Sequence, residues 1–266
     1  MTDVAPALTT TTAALPSGAA IPLLGFGTWQ LTGTTATEAV RSALTVGYRH
    51  LDTATMYDNE RDVGAGLRDS GVPRDDVFVT TKLPPDHAGS ARATLEQSLE
   101  QLGLDSLDLW LIHWPPGADE GLDLWRAFLQ AREEGLVRDV GVSNHSLAQL
   151  DQLTEGTGVM PAVNQIRWSP LLFNRALLDG HRARGVVVEG YSGLKGGTLD
   201  SPVVGGIAGR IGCSPAQVLV RWQLDHGVVA IPKSANKQRI RENADVDGID
   251  LAPDDIAALD GLGEQS

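Results

Sequence analysis

Strand-like and helix-like patterns alternate along the chain. Tyr48-Arg49-His50-Leu51-Asp52, Val77-Phe78-Val79-Thr80-Thr81-Lys82 and Leu107-Asp108-Leu109-Trp110-Leu111-Ile112-His113 are apolar or β-branched in character, and each gives way to Pro, Gly, Asp or Asn. Further strand-like runs cover residues 25–28, 140–143, 162–165, 186–191 and 228–232, which makes eight. Helical patterns cover 37–46, 59–68, 90–102, 124–134, 147–154 and 175–183, and a seventh helix opens at Ser214-Pro215 and carries Val218, Leu219 and Trp222. Residues 90–102 show the logic: Leu95, Leu99 and Leu102 share one face at i, i+4 and i+7, and Gly103 stops the run.

Strands alternating with helices predict a parallel sheet, and eight strands close a (β/α)₈ barrel. Residues 9–24, broken by Pro16-Ser17-Gly18, predict a hairpin that plugs the barrel bottom, with residues 1–14 flexible. No linker or composition shift marks a second domain, so residues 1–266 are expected to form one barrel domain, with the glycine-rich stretch 193–206 as a lid loop.

The hydrophobic fraction of 42% and charged fraction of 21% are ordinary for a soluble globular protein. A formal net charge of −13 opposes nucleic acid and anionic membranes as partners, because long-range repulsion disfavours both. The single cysteine, Cys213, excludes an internal disulfide and leaves no Cys-based metal framework, which suits a reducing cytoplasm. Residues 1–18 lack a basic start and a continuous apolar core, so no secretory signal is expected.

Barrel active sites form where strands end at the C-terminal face. Asp52, Tyr57, Lys82 and His113 all fall at or just past such ends, and together they can polarise and protonate a carbonyl. Tyrosine, with a reference pKa of about 10, keeps its proton at neutral pH and can donate it to a developing alkoxide. A lysine ammonium beside it would favour the phenolate, and Asp52 would hold that lysine charged and oriented. Each residue alone has an ordinary loop or cap role, but such roles give no reason for all four to share one face.

The text around them resembles the aldo-keto reductase family, most closely the shorter bacterial members of the diketogluconate-reductase kind. The matching segments are Gly25-Phe26-Gly27-Thr28-Trp29, Asp52-Thr53-Ala54-Thr55-Met56-Tyr57, Thr81-Lys82-Leu83, His113-Trp114-Pro115, Gly141-Val142-Ser143-Asn144, Asn164-Gln165, Tyr191-Ser192 and Ile231-Pro232-Lys233-Ser234, in the family's order. The resemblance implies an NADPH-dependent carbonyl reductase whose catalytic tetrad is Asp52, Tyr57, Lys82 and His113. It implies that Ser143, Asn144 and Gln165 hold the carboxamide, that Tyr191 stacks on the nicotinamide, and that Ser192 and Leu194 belong to the loop over the cofactor. Lys233, Ser234, Arg239, Glu242 and Asn243 are expected at the adenosine-phosphate end, with Ser234 capping the following helix. A cluster of Lys233, Lys237, Arg239 and Arg241 in so acidic a chain fits the 2′-phosphate of NADPH.

The family's Tyr-Ser-Pro-Leu-Gly reads Tyr191-Ser192-Gly193-Leu194-Lys195 here, so the covering loop loses a stiffening proline and gains a charge. A short connection after His113 and an end soon after Leu262 suggest an open cleft walled by Trp29, Met56 and Trp114, with Trp168 either a wall or core. A hydrophobic or extended aldehyde or ketone fits those walls, and a cytoplasmic monomer is expected. Two other classes stay in view: a Schiff-base lyase using Lys82 or Lys233, and a non-catalytic NADPH-binding redox sensor.

Overall fold

The computed structural model describes residues 11–117 and 120–265, and among them a sheet of eight parallel strands curls into a barrel. Its strands run in chain order: β3 (Phe26–Gly27), β4 (His50–Asp52), β5 (Phe78–Leu83), β6 (Leu107–Ile112), β7 (Val137–Ser143), β8 (Val163–Arg167), β9 (Val187–Tyr191) and β10 (Val229–Ala230). The ends of the sheet meet, because the Ala230 amide donates to Leu23 O at 2.7 Å and the Gly25 amide to Ala230 O at 2.8 Å. A closed barrel leaves no edge strand.

β1 (Thr12–Ala14) and β2 (Ala20–Pro22) form the expected antiparallel hairpin, although residues 9 and 10, like the rest of 1–10, lie outside the described residues. The Ser17 hydroxyl and amide at its turn both donate to the Asp139 carboxylate, near the start of β7. That bond places the hairpin at the N-terminal end of the barrel, away from the strand tips, and Ile21 and Leu23 are buried behind it.

The outer helices are α1 (Gly33–Val46), α2 (Glu60–Ser70), α3 (Ala91–Leu102), α4 (Gly121–Glu133), α5 (Leu147–Thr157), α6 (Arg175–Ala183), α7 (Pro202–Ile211), α8 (Pro215–Asp225), α9 (Lys237–Ala244) and α10 (Pro253–Asp260). Leu95, Leu99 and Leu102 are buried as their spacing predicts, each such side chain contributing roughly 1.5–3 kcal/mol. Gly103 ends α3 at φ 69°, a left-handed conformation that glycine adopts without cost from a Cβ. Reciprocal capping boxes, Ser146 with Gln149 and Ser214 with Gln217, start α5 and α8.

Two elements depart from the sequence reading. The stretch read as a lid loop is a loop only in its first half, because α7 begins at Pro202. Val204, Ile207 and Ala208 recur at helical spacing there and pack with Val218, Leu219 and Trp222 of α8, so burial of this face outweighs the low helix propensity of Gly205 and Gly206. α10 was not anticipated, and its Leu259 is buried in the same cluster. No single helix among the described residues is long and apolar enough to cross a membrane.

Candidate active site

The strand tips bring the four proposed tetrad residues together. Lys82, fully buried in β5, donates from Nζ to Asp52 Oδ1 at 2.7 Å and to Thr53 O at 2.7 Å, and its Nζ lies 3.5 Å from the Tyr57 hydroxyl. Gln165 Nε2 donates to the other Asp52 oxygen at 2.8 Å, so both carboxylate oxygens are engaged. Tyr57 stands in a short helical turn, Thr55–Tyr57, and the ring of His113 meets its ring edge-on at 5.9 Å. Asn59 fixes that turn's approach by accepting from Thr53 Oγ1 and donating to Thr28 O and Leu31 O.

Electrostatics assign the protons. Burial pulls the Lys82 pKa down, but Asp52 and Tyr57 outweigh it and leave it above the ordinary lysine value. A buried ammonium already committed to three oxygens is a poor Schiff-base nucleophile, which weakens the lyase reading for Lys82. Burial also raises Tyr57, and this exceeds the opposing pull of Lys82. Lys82 does favour the phenolate as expected, but burial outweighs it: the site holds a firmly protonated phenol beside a fixed positive charge. Burial, helped by Lys82, lowers His113 to about 3, so its imidazole is neutral.

The same cleft, with a volume of about 510 Å³, continues along the ends of β7 to β10 and is lined there by Ser143, Asn144, Gln165, Tyr191, Ser192, Leu194, Lys233, Ser234, Arg239 and Asn243. Many of its polar groups bind one another. Ser143 Oγ donates to Gln165 O, Asn144 Nδ2 to His113 O, and the Tyr191 hydroxyl to Asn144 Oδ1 at 2.8 Å. Because Gln165 spends its NH₂ on Asp52, its amide oxygen is the group left to accept from a carboxamide. Glu242 is not part of this lining and instead accepts from Gln238 Nε2 at 2.7 Å. Nor does Ser234 cap α9: Asn236 does, accepting from the Gln238 and Arg239 amides, while Ser234 Oγ accepts from the Asn236 amide.

Lys233 and Arg239 are exposed and have no acidic partner among the described residues, whereas Lys237 lies 3.5 Å from Glu38. Two unpaired cations at one end of a cleft and amide groups at the other form a donor set that fits a phosphorylated dinucleotide.

Trp29, Met56 and Trp114 line the cleft and stay exposed at 44%, 55% and 44%. Trp168 is core instead, 1% exposed and stacked on Trp222. Lys195, the added charge in the covering loop, sits 3.7 Å from the centroid of the Trp29 ring across the cleft. Gly193, two residues earlier in the same loop, abuts α8 so closely that a Cβ there would come within 2.6 Å of Gln223 Nε2. Gln30, Asp58, Asn144 and Ser192 are the non-glycine residues with positive φ among those described, and each directly follows a cleft residue.

Glu189, a fully buried acid in β9 behind Tyr191, lies short of the strand tip and so outside the set the strand ends define. The signal was present as one carboxylate inside the apolar run Val186-Val187-Val188-Glu189-Gly190.

This fold and cleft match known proteins. The model of the aldo/keto reductase family matches residues 23–208. The glyoxal reductase of Bacillus subtilis is 41% identical over 255 residues, covering 94% of this chain and 92% of that protein. A crystal structure of an aldo/keto reductase from Brucella melitensis superposes with a TM-score of 0.92 at 40% identity, covering 96% of this chain and all of the other. A Bombyx mori aldo-keto reductase solved in complex with NADP gives a TM-score of 0.87 at 33% identity, covering 97% and 93%. The chain belongs to the aldo/keto reductase family, a family of carbonyl-reducing oxidoreductases.

Proposed function

We propose that the protein reduces aldehydes and ketones to alcohols with NADPH, and that Tyr57 donates the proton. One observation carries this reading: a protonated phenol lies 3.5 Å from an ammonium that Asp52 holds in place, at the mouth of an apolar cleft. Bound NADPH would supply the hydride that reaches the carbonyl carbon. Ser143, Asn144 and Gln165 would hold its carboxamide, Tyr191 its nicotinamide ring, and Lys233, Ser234, Arg239 and Asn243 its adenosine-phosphate end.

A carbonyl oxygen placed between Tyr57 and His113 is polarised by both. As negative charge develops on that oxygen, the Tyr57 O–H bond breaks and the proton moves to it. The phenolate left behind is stabilised by Lys82, whose own charge is fixed by Asp52. The high pKa of Tyr57 keeps the proton in place until the alkoxide forms.

Trp29, Met56 and Trp114 favour a substrate with a hydrophobic or extended substituent. The similarity to the Bacillus glyoxal reductase points instead to a small dicarbonyl. NADPH consumption across aromatic aldehydes, aliphatic ketones and glyoxal separates the two. Higher kcat/KM for the aromatic aldehydes is expected; activity on glyoxal alone would overturn the wall assignment, and no consumption with any carbonyl would overturn the reductase.

A further inference from the structure

Beneath the tetrad, the barrel interior holds a second polar layer. His50 and Thr80 lie two residues before Asp52 and Lys82 on the same strands, and strand alternation puts them on the same face one step deeper. His50 Nε2 is 3.1 Å from Thr80 Oγ1 and 3.8 Å from Glu189 Oε1, which reaches in from β9. All three side chains are fully buried. Such layers in barrels are ordinarily filled by branched aliphatic side chains. Gly25 makes room for this one, since a Cβ there would come within 2.5 Å of His50 Nδ1.

Neither Glu189 oxygen has a hydrogen-bond partner among the described residues. The titratable groups facing it are His50 and Asp52 from β4, Tyr57 from the turn after β4, and Lys82 from β5; the Gln165 amide faces it from β8. Lys82 is the positive one, and Asp52 holds it at 2.7 Å. A charged Glu189 would therefore be a second carboxylate competing for one ammonium, in a place where the facing Gln165 amide already donates to Asp52 at 2.8 Å. Burial first, and then the Asp52 charge, push Glu189 up to about 8, with Lys82 and the Gln165 amide offsetting part of the rise. Burial holds His50 down to about 3, so the imidazole beside it is neutral.

We propose that Glu189 is a positioning residue for carbonyl reduction: a carboxylic acid held protonated under the tetrad, which leaves the Lys82 charge to Asp52 and Tyr57. This rests on the role proposed for Tyr57. When the Tyr57 O–H bond breaks and its proton goes to the substrate oxygen, the tetrad gains one negative charge, and a neutral Glu189 adds no other. Burial most of all, and then the charges of Asp52 and Glu189, raise Tyr57, so an ionised Glu189 makes it a weaker donor. The acid is neutral below about 8 and charged above it, so the penalty arrives as pH rises.

Two measurements test this. The infrared spectrum of the cofactor-free wild-type protein should show a protonated-acid C=O stretch at acid pH that fades with a midpoint near 8 and is absent in Glu189→Gln. In parallel, kcat for aldehyde reduction is followed against pH with 4-deuterated NADPH to keep the chemical step in view. The ratio of Glu189→Gln to wild-type kcat should grow by roughly threefold or more as pH passes that midpoint. No acid band in the wild type overturns the proposal, and that titration needs no variant to fold. A band accompanied by a pH-independent ratio overturns the positioning role. If Tyr57→Phe keeps reducing carbonyls, the reading of Tyr57 fails instead, with the infrared result untouched.

Discussion

The two halves of the cleft treat charge in opposite ways. On the β4 to β6 side, Lys82 is fully buried and its charge is answered by Asp52, Thr53 and the Tyr57 hydroxyl before any substrate arrives. On the β10 side, Lys233 and Arg239 are exposed and have no acidic partner among the described residues. The difference follows from what each half must do. A proton donor works best in an environment that is already organised, because reorganisation during the reaction raises the barrier. An anion site must keep its cations available, since an internal carboxylate would compete with the phosphate for them.

The comparison breaks most visibly at Lys82. Lys82→Met keeps much of the volume but leaves Asp52 buried without its ammonium, so a loss of about 3–5 kcal/mol in stability is expected by denaturant unfolding, with turnover reduced by roughly two decades or more. Stability within 1 kcal/mol of the wild type, on the order of an exposed pair's worth, would show that the pair is not the buried anchor described above.

Arg239→Ala probes the other half, and its effect should be smaller and selective. One charge-assisted contact to a 2′-phosphate is worth about 1.5–3 kcal/mol, so NADPH affinity should fall by roughly one to two decades while NADH affinity changes little. Titration calorimetry with both cofactors reads the difference. Equal losses would remove Arg239 from the phosphate site and blur the contrast between the halves.

Strand tips were the most legible part of the sequence. Asp52, Lys82, Ser143 and Tyr191 each lie at the end of a β-branched or apolar run just before turn residues, and that position alone aims them at one face, whereas the strand that carries Gln165 runs on to Arg167. Elements whose character is set by tertiary packing were less so. The glycines of α7 read as a loop because propensity is local, whereas the packing of Val204 and Ile207 against α8 is not. Trp168 is not assignable to wall or core from its neighbours in sequence, since Trp222, on which it stacks, comes from the distant helix α8. Glu242 was placed at the phosphate end by resemblance, but its carboxylate turns along α9 to Gln238.

Tyr57 shows a subtler limit. Its partners were readable, and the direction in which Lys82 pulls was right, but the depth of burial that outweighs that pull exists only in the folded chain. The same applies to Glu189, whose oddness in an apolar run was visible while its place under Asp52 was not.

The central claim is that Tyr57 delivers the proton from a site assembled in advance. Stopped-flow single-turnover oxidation of NADPH by a saturating aldehyde, run on wild type and Tyr57→Phe with NADPH affinity measured alongside, tests it most directly. The expected result is a loss of about two to four decades in the rate of carbonyl reduction with NADPH affinity essentially kept, because only the donated proton is removed. Reduction by Tyr57→Phe at a rate close to the wild type would contradict it.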